Sequence, residues 1–319
     1  MKIQLTLLFL VFFQISITAQ TKIWLDTDIM IGMQDDEARE VDDGIALIMA
    51  LKQPQIEIAG ISNITYVDYG YDVIHKILNW QAPKKNISVF KGSPHANDLG
   101  TENDATRAMY NSLKKEKLSI LALGPLTNIA TLVKNHPDII PQIDSIVICA
   151  ARTPALPFNP GLGKLNVYDY NYEMDTASMN VLLESSVHLV FSGYQPSSYT
   201  FIGNIDLQCL IDGREADQWL YNTLQPWMEL NESLFGVHGF IPYDCATLGV
   251  ISHPEYFSYY EDIPIQVNYR KNDAQYFQPN QKEKPFLEVS YDFVAPKKVR
   301  YARRALHGFE ELILESICE

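Results

Sequence analysis

The chain has 319 residues, enough for one large α/β domain or two small ones. Its 39 Asp and Glu outweigh 25 Lys and Arg, and the resulting formal charge of −14 would repel phosphates, which excludes a nucleic-acid polymer as partner. Four cysteines, Cys149, Cys209, Cys245 and Cys318, are too few and too scattered for a disulfide framework, although an exported chain could still bridge one pair.

Lys2, an apolar run from Leu5 to Ile15 and a small residue at Ala19 have the layout of a secretory signal peptide cleaved after Ala19. The apolar run is shorter than the roughly 20 residues that span a bilayer. Residues 1–19 are therefore expected as a leader, and residues 20–319 as one exported domain, periplasmic or extracellular, with no membrane segment. No linker, low-complexity tract or internal repeat divides that domain.

Ile23-Trp24-Leu25 reads as a strand and residues 44–51 as a helix with Ile45, Ile48, Met49 and Leu51 turned to the core. A second strand follows over 56–64 and a second helix over 73–80. Residues 118–123, 145–150 and 187–191 read as further strands, with helices over 127–134 and 176–184. This alternation predicts a mostly parallel, Rossmann-like open sheet with helices on both faces. Ligands of such sheets bind outside the carboxyl ends of the strands. Beyond Asp212 the rhythm changes: residues 215–234 read as a helix interrupted near Pro226, 263–269 and 286–291 as a late antiparallel pair, and 296–317 as a closing helix.

The chemistry lies where strands end. Trp24-Leu25-Asp26-Thr27-Asp28 puts two acids at the tip of an apolar strand, and Glu40-Val41-Asp42-Asp43-Gly44 opens the next helix with more. Asp42 could cap that helix and Asp43 could complement its dipole. Neither role explains Asp26 and Asp28. Carboxylates converging on a strand tip repel one another unless a cation neutralises them, and a hard divalent ion such as Ca²⁺ or Mg²⁺ takes oxygen ligands.

These segments resemble the N-terminal signature of the nucleoside hydrolases. Leu121-Ala122-Leu123-Gly124-Pro125-Leu126-Thr127-Asn128-Ile129-Ala130 is similar to that family's second signature, Asp169-Tyr170-Asn171-Tyr172-Glu173-Met174-Asp175 to its Glu-Phe-Asn stretch, and Pro242-Tyr243-Asp244-Cys245-Ala246 to its His-Asp element. The resemblance implies hydrolysis of the N-glycosidic bond of a ribonucleoside to free base and ribose, dependent on Ca²⁺. It implies that Asp28, Asp43, Asp244 and the Leu123 carbonyl hold the ion, and that Asp28 is general base to a water the ion polarises. Asp42 and Asn171 would hydrogen-bond ribose hydroxyls, and Asp169 would do so at the 5′ end. A homodimer or homotetramer is implied as well. For Asp175 the residues favour a helix cap over a ligand contact.

Three departures mark this chain. The loop between Asp28 and Asp42 is longer than the family spacing and carries Asp35-Asp36, read as a solvated pair; at the mouth of the site, this loop could reshape base recognition or act as a lid. The family's Gly-Asn after the second strand is missing, and Asp68, beside Val67, is the chemical substitute. The histidine before the last aspartate is Tyr243, which could stack on a base or donate a proton, with His238 an alternative donor. A different N-ribosyl substrate and a non-catalytic calcium-dependent sugar or nucleoside binder are the competing readings.

Overall fold

Short apolar runs become the inner strands of one sheet because their side chains are buried on both faces, as parallel sheets require. The strands are β1 (Thr21–Thr27), β2 (Ile56–Asn63), β3 (Val89–Lys91), β4 (Leu118–Ala122), β5 (Ile143–Ile148) and β6 (Leu189–Ser192), and every residue of β4 and β6 is buried. The computed structural model describes residues 20–33, 36–154, 156–162, 165–275 and 281–318. The leader expected over residues 1–19 lies outside them.

Two short strands, β7 (Ile202–Gly203) and β8 (Gly239–Phe240), pair apart from the main sheet, and the late strands β9 (Phe257–Lys271), β10 (Glu283–Val289) and β11 (Lys298–Ala305) complete it. The nine strands run β10-β9-β11-β6-β5-β4-β1-β2-β3. β1 to β6 pair in parallel, as does β11 with β6, whereas β9 runs antiparallel to both β10 and β11. The expected mostly parallel, Rossmann-like sheet with late antiparallel strands is borne out. From β1 the chain steps outward to β2 and β3, then returns to β4 on the other side. That reversal opens a crevice at the carboxyl ends of β1 and β4.

The helices are α1 (Asp42–Lys52), α2 (Val67–Gln81), α3 (Asp104–Leu113), α4 (Thr127–Asn135), α5 (Tyr170–Glu173), α6 (Thr176–Glu184), α7 (Tyr194–Ser197), α8 (Glu215–Phe235), α9 (Tyr243–Ser252) and α10 (Phe309–Cys318). α1 is buried from Asp42 to Leu51 because α2, α9 and α10 pack around it. A helix covered on all sides is apolar all round, so the two acids at its start need a specific reason to be there.

Two sequence expectations are corrected. Residues 296–317 are not one helix: β11 joins the sheet first, a turn follows with Gly308 at φ +96°, and α10 begins only at Phe309. The basic residues of β11 obscure the burial of Val299, Tyr301, Ala302 and Ala305 against the sheet. α8 runs through Pro226 without a break. Proline in a helix interior costs about 3 kcal/mol, and burial of Leu220, Leu224, Met228 and Phe235 along one face offsets it. Strand β3 and helix α3 had no clear sequence signal. Among the described residues, no helix is long and apolar enough to cross a membrane.

Cys209 and Cys318 form a disulfide with Cα atoms 5.6 Å apart, tying α10 to the 3₁₀ segment Asn204–Leu210 across 109 residues of sequence. Closing a loop of that length stabilises a fold by about 4–5 kcal/mol in the chain-entropy treatment. Cys209→Ser with Cys318→Ser is expected to lower the denaturation midpoint markedly while leaving far-ultraviolet circular dichroism unchanged. A midpoint insensitive to both the substitutions and a reductant would contradict this.

Candidate active site

The crevice between β1 and β4 deepens into a cavity at the carboxyl ends of those strands. Asp28 follows β1, Leu123 follows β4, Asp42 and Asp43 open α1, Asp244 lies in the first turn of α9, and Asp169 and Asn171 come from the α5 segment. Among the described residues that line this cavity there is no lysine, arginine or histidine. Carboxylate oxygens of Asp42, Asp43 and Asp244 all lie within 4.8 Å of one another.

Hydrogen bonds fix the acids from behind. Thr27 Oγ1 donates to Asp43, and the Asp244 backbone N–H donates to Asp42 Oδ2 at 3.1 Å. Asp26 lies deeper, accepting from Ser62 Oγ and from Asn128 Nδ2 at 2.9 Å, so it braces the strand tip against the second signature. Gly124 is needed for close approach: a Cβ there would lie 2.8 Å from Asp28 Oδ1. Asn171 Nδ2 donates to the carbonyls of Leu123 at 2.7 Å and Cys149 at 3.0 Å, which leaves its own oxygen for the cavity. Asp175 caps α6 by accepting from Ser178 N at 3.2 Å, and it also accepts from Thr127 Oγ1 at 2.6 Å.

Backbone strain collects on the opposite wall. Ala151 sits at φ +77°, costly for a residue with a Cβ, and its N–H donates to Asp169 Oδ2 at 2.8 Å. Gly193 passes so close that an added Cβ would meet the Ala151 carbonyl oxygen at 1.9 Å.

Burial is the main cause of the unusual acidities, and like charge adds to it. Asp42 is pushed up to about 7 by burial and then by Asp43, and Glu40 to about 8 by burial and then by Asp42 and Asp43. Asp28 and Asp244 stand well above the ordinary range, through burial first and the neighbouring carboxylates second. Asp43 is raised by burial despite its hydrogen bonds to Asp244 and Thr27. Two unit charges 4 Å apart repel by about 4 kcal/mol at an effective dielectric near 20. The cluster must therefore either hold protons or bind a cation, and its all-oxygen donor set suits a hard divalent ion.

Of the expected site residues, Asp28, Asp42, Asp43, Leu123, Asp169, Asn171, Tyr243 and Asp244 all line this one cavity. Two do not. Asp68 falls in the first turn of α2, where its side chain is 86% exposed and pairs with Lys91 at 2.6 Å. The helix starts at Val67, and that turns Asp68 to solvent. His238 is partly exposed and pairs with Glu232 at 2.7 Å, outside the cavity lining. Asp36 is exposed, and Asp35 lies outside the described residues. The Tyr243 hydroxyl is buried without a hydrogen-bond partner among the described residues, and burial holds its proton on. Glu40 was not expected in the site. It stands beside the Val-Asp-Asp run, but an acid at the end of a long loop reads as solvated.

A second chamber adjoins the first and shares Glu40, Asp42, Tyr168, Tyr170 and Tyr243 with it. Trp227, Leu230 and Phe235 of α8 line one side, and Glu37, Ala38 and Arg39 of the long loop line the other. An acidic cleft at a sheet's switch point, opening onto an apolar aromatic chamber, suits a hydrolase that acts on N-glycosyl compounds. Residues 23–286 match the model of the inosine-uridine preferring nucleoside hydrolases, and the chain belongs to that family.

A probable uridine nucleosidase 1 from Oryza sativa subsp. japonica is 23% identical over 70% of this chain and 77% of its own. The pyrimidine-specific ribonucleoside hydrolase RihB of Shigella flexneri is 21% identical over 67% of this chain and 76% of its own. Among solved structures, a purine-preferring ribonucleoside hydrolase from Gardnerella vaginalis superposes with a TM-score of 0.73 at 18% identity, covering 93% of this chain and 98% of that one. The plant nucleoside hydrolase PpNRh1 gives 0.70 at 16% identity, covering 93% and 99%. At these identities the structural likenesses speak for the fold.

The raised acidities set a pH dependence. From the ordinary value of 3.8 up to about 7 for Asp42, and from 4.5 up to about 8 for Glu40, the folded chain binds more protons than the unfolded one. Stability without a cation therefore falls as pH rises through that window. Thermal unfolding in chelator is expected to show a lower Tm at about pH 8 than at about pH 5, with the gain from added Ca²⁺ larger at the higher pH. A Tm that is flat or rises across the window in chelator would contradict the assignment.

Proposed function

We propose that the chain hydrolyses the N-glycosidic bond of ribonucleosides, giving free base and ribose, with Ca²⁺ held by Asp28, Asp43, Asp244 and the Leu123 carbonyl. The observation that carries this reading is the set of buried carboxylates facing one cavity that no basic side chain among the described lining residues neutralises. Asp42, itself one of the three carboxylates within 4.8 Å of one another, is available to the ion or to a sugar hydroxyl. When bound, the cation would offset the mutual repulsion of the acids, engage sugar hydroxyls and acidify a water.

The remaining roles fall to the chain itself. Asp28 takes a proton from the water that attacks the anomeric carbon, as the carbon–nitrogen bond breaks and the departing base gains a proton. Asp42 and the free oxygen of Asn171 accept from ribose hydroxyls, and Asp169 accepts at the 5′ end. The carboxylates around the ring stabilise the positive charge that develops on the sugar. The base occupies the aromatic chamber against Trp227 and Phe235, so the long loop that supplies Arg39 and Glu40 shapes base selection. Tyr243 stands at the join of the two chambers. Its tightly held proton suits a hydrogen-bond donor to the leaving group better than a full acid. That favours, as a second reading, an N-ribosyl compound whose leaving group departs with little protonation.

Export is part of the proposal, supported by the leader-like residues 1–19 and by a disulfide, a bond that persists in oxidising compartments. A homodimer or homotetramer is proposed from the family resemblance. The test is reducing-sugar release from a panel of purine and pyrimidine ribonucleosides, with Ca²⁺ and with a chelator. Release that the chelator abolishes is expected, and Asp28→Asn should lower kcat by about 10²- to 10⁴-fold. No release from any nucleoside, or full activity in Asp28→Asn, would overturn the reading.

A further inference from the structure

We propose that Lys284, on the late strand β10, is a positioning residue that sets the sugar-binding Asp169 through Glu173. The proposal rests on the assignment of Asp169 to the 5′ hydroxyl made above.

Lys284 is 1% exposed, and its ammonium donates to Glu173 Oε1 at 2.7 Å and lies 3.1 Å from Asp273 Oδ1. The same Glu173 Oε1 accepts the Asp169 backbone N–H at 2.9 Å. Asp273 Oδ2 in turn accepts from Arg152 Nη1 at 2.8 Å, and Arg152 is 2% exposed, its guanidinium lying 4.4 Å from the Phe158 ring and 4.6 Å from the Phe286 ring. Arg152 directly follows the strained Ala151, whose N–H holds Asp169 Oδ2. Asp169 is thus gripped at its backbone through Lys284 and at its carboxylate through the Arg152 segment, and both grips meet at Asp273.

Stability alone does not account for this arrangement. Burying an ammonium is costly, and an apolar residue of similar volume often serves a core at least as well. What an ionic chain supplies is direction: charge-assisted hydrogen bonds hold atoms at set angles, where apolar packing tolerates slippage. The atoms held here carry a sugar contact, and misplacement by about 1 Å can cost around a hundredfold in rate.

The experiment uses the full mature chain and two probes, uridine and 5′-deoxyuridine, or inosine and 5′-deoxyinosine if purines are preferred. Loss of one hydrogen bond to a charged group corresponds to a preference of about 10- to 100-fold for the 5′-hydroxylated substrate in kcat/KM. Lys284→Met is expected to collapse that preference to within a few-fold of unity while the 5′-deoxy substrate loses little. The double variant Lys284→Met with Glu173→Gln removes the buried charge that Lys284 pairs and should fold where the single variant does not. Asp273→Asn, at a partly exposed position, should give a partial collapse.

A lower Tm with the preference intact, in any variant that folds, would make Lys284 merely structural and overturn the proposal. So would a wild-type chain that cleaves both members of a pair equally. A wild-type chain that cleaves no nucleoside would overturn the proposed function and, with it, this one; cleavage with an intact preference in the variants overturns this one alone.

Discussion

Mutual repulsion among buried carboxylates is the constraint on which the rest of the site depends. Asp42, Asp43 and Asp244 are held within 4.8 Å of one another, with Asp28 beside them, by a sheet and two helices that cannot move apart without unpacking the core. The starts of α1 and α9 face the cluster, and each helix N-terminus is worth roughly half a positive charge. Together they offset only about one of these four negative charges, so a net negative charge remains and the arrangement is poised to bind a divalent cation.

The fold makes that concentration of charge tolerable by putting it where the backbone is stiffest. β1 and β4 are adjacent central strands, and the acids begin one residue past the end of β1. Behind them, Asp26 joins Ser62 on β2 to Asn128 on α4, so the strand tip is braced on both sides. On the opposite wall, the strained Ala151 and the close passage of Gly193 fix the carboxylate of Asp169. The late hairpin, far from the crevice along the sheet, reaches the same segment through buried ion pairs. One wall thus stands at the ends of the interior strands β1 and β4, and the other is held from the hairpin at the sheet's far edge.

Much of this was legible in the sequence, for a physical reason. Acids at the end of an apolar strand violate the usual partition of polar and apolar residues, and that violation marks Asp26 and Asp28; Asp42 and Asp43 have an ordinary reading at a helix start, and they and Asp244 join the site through the family resemblance. Strand and helix periodicity gave the parallel core, because those strands are short and apolar. The failures have equally local causes. β11 carries Arg300, Arg303 and Arg304 and resembles an amphipathic helix until its partners β6 and β9 are known. Pro226 breaks a helix by propensity, but the buried face of α8 overrides it. Asp68 fits the missing Gly-Asn position by its chemistry, but the register of α2 turns it outward. Glu40 is hidden by its place at the end of a long loop, where an acid reads as solvated, and the Lys284 chain by contacts that are remote in sequence, as between Lys284 and Glu173, 111 residues apart.

A carboxylate cluster that seats one divalent cation should take up Ca²⁺ in calorimetric titration of residues 20–319. One Ca²⁺ bound per chain, with binding lost in a folded Asp244→Asn variant, is the result this account requires. A wild-type chain that takes up no Ca²⁺, or an Asp244→Asn variant that binds it as tightly, would contradict it.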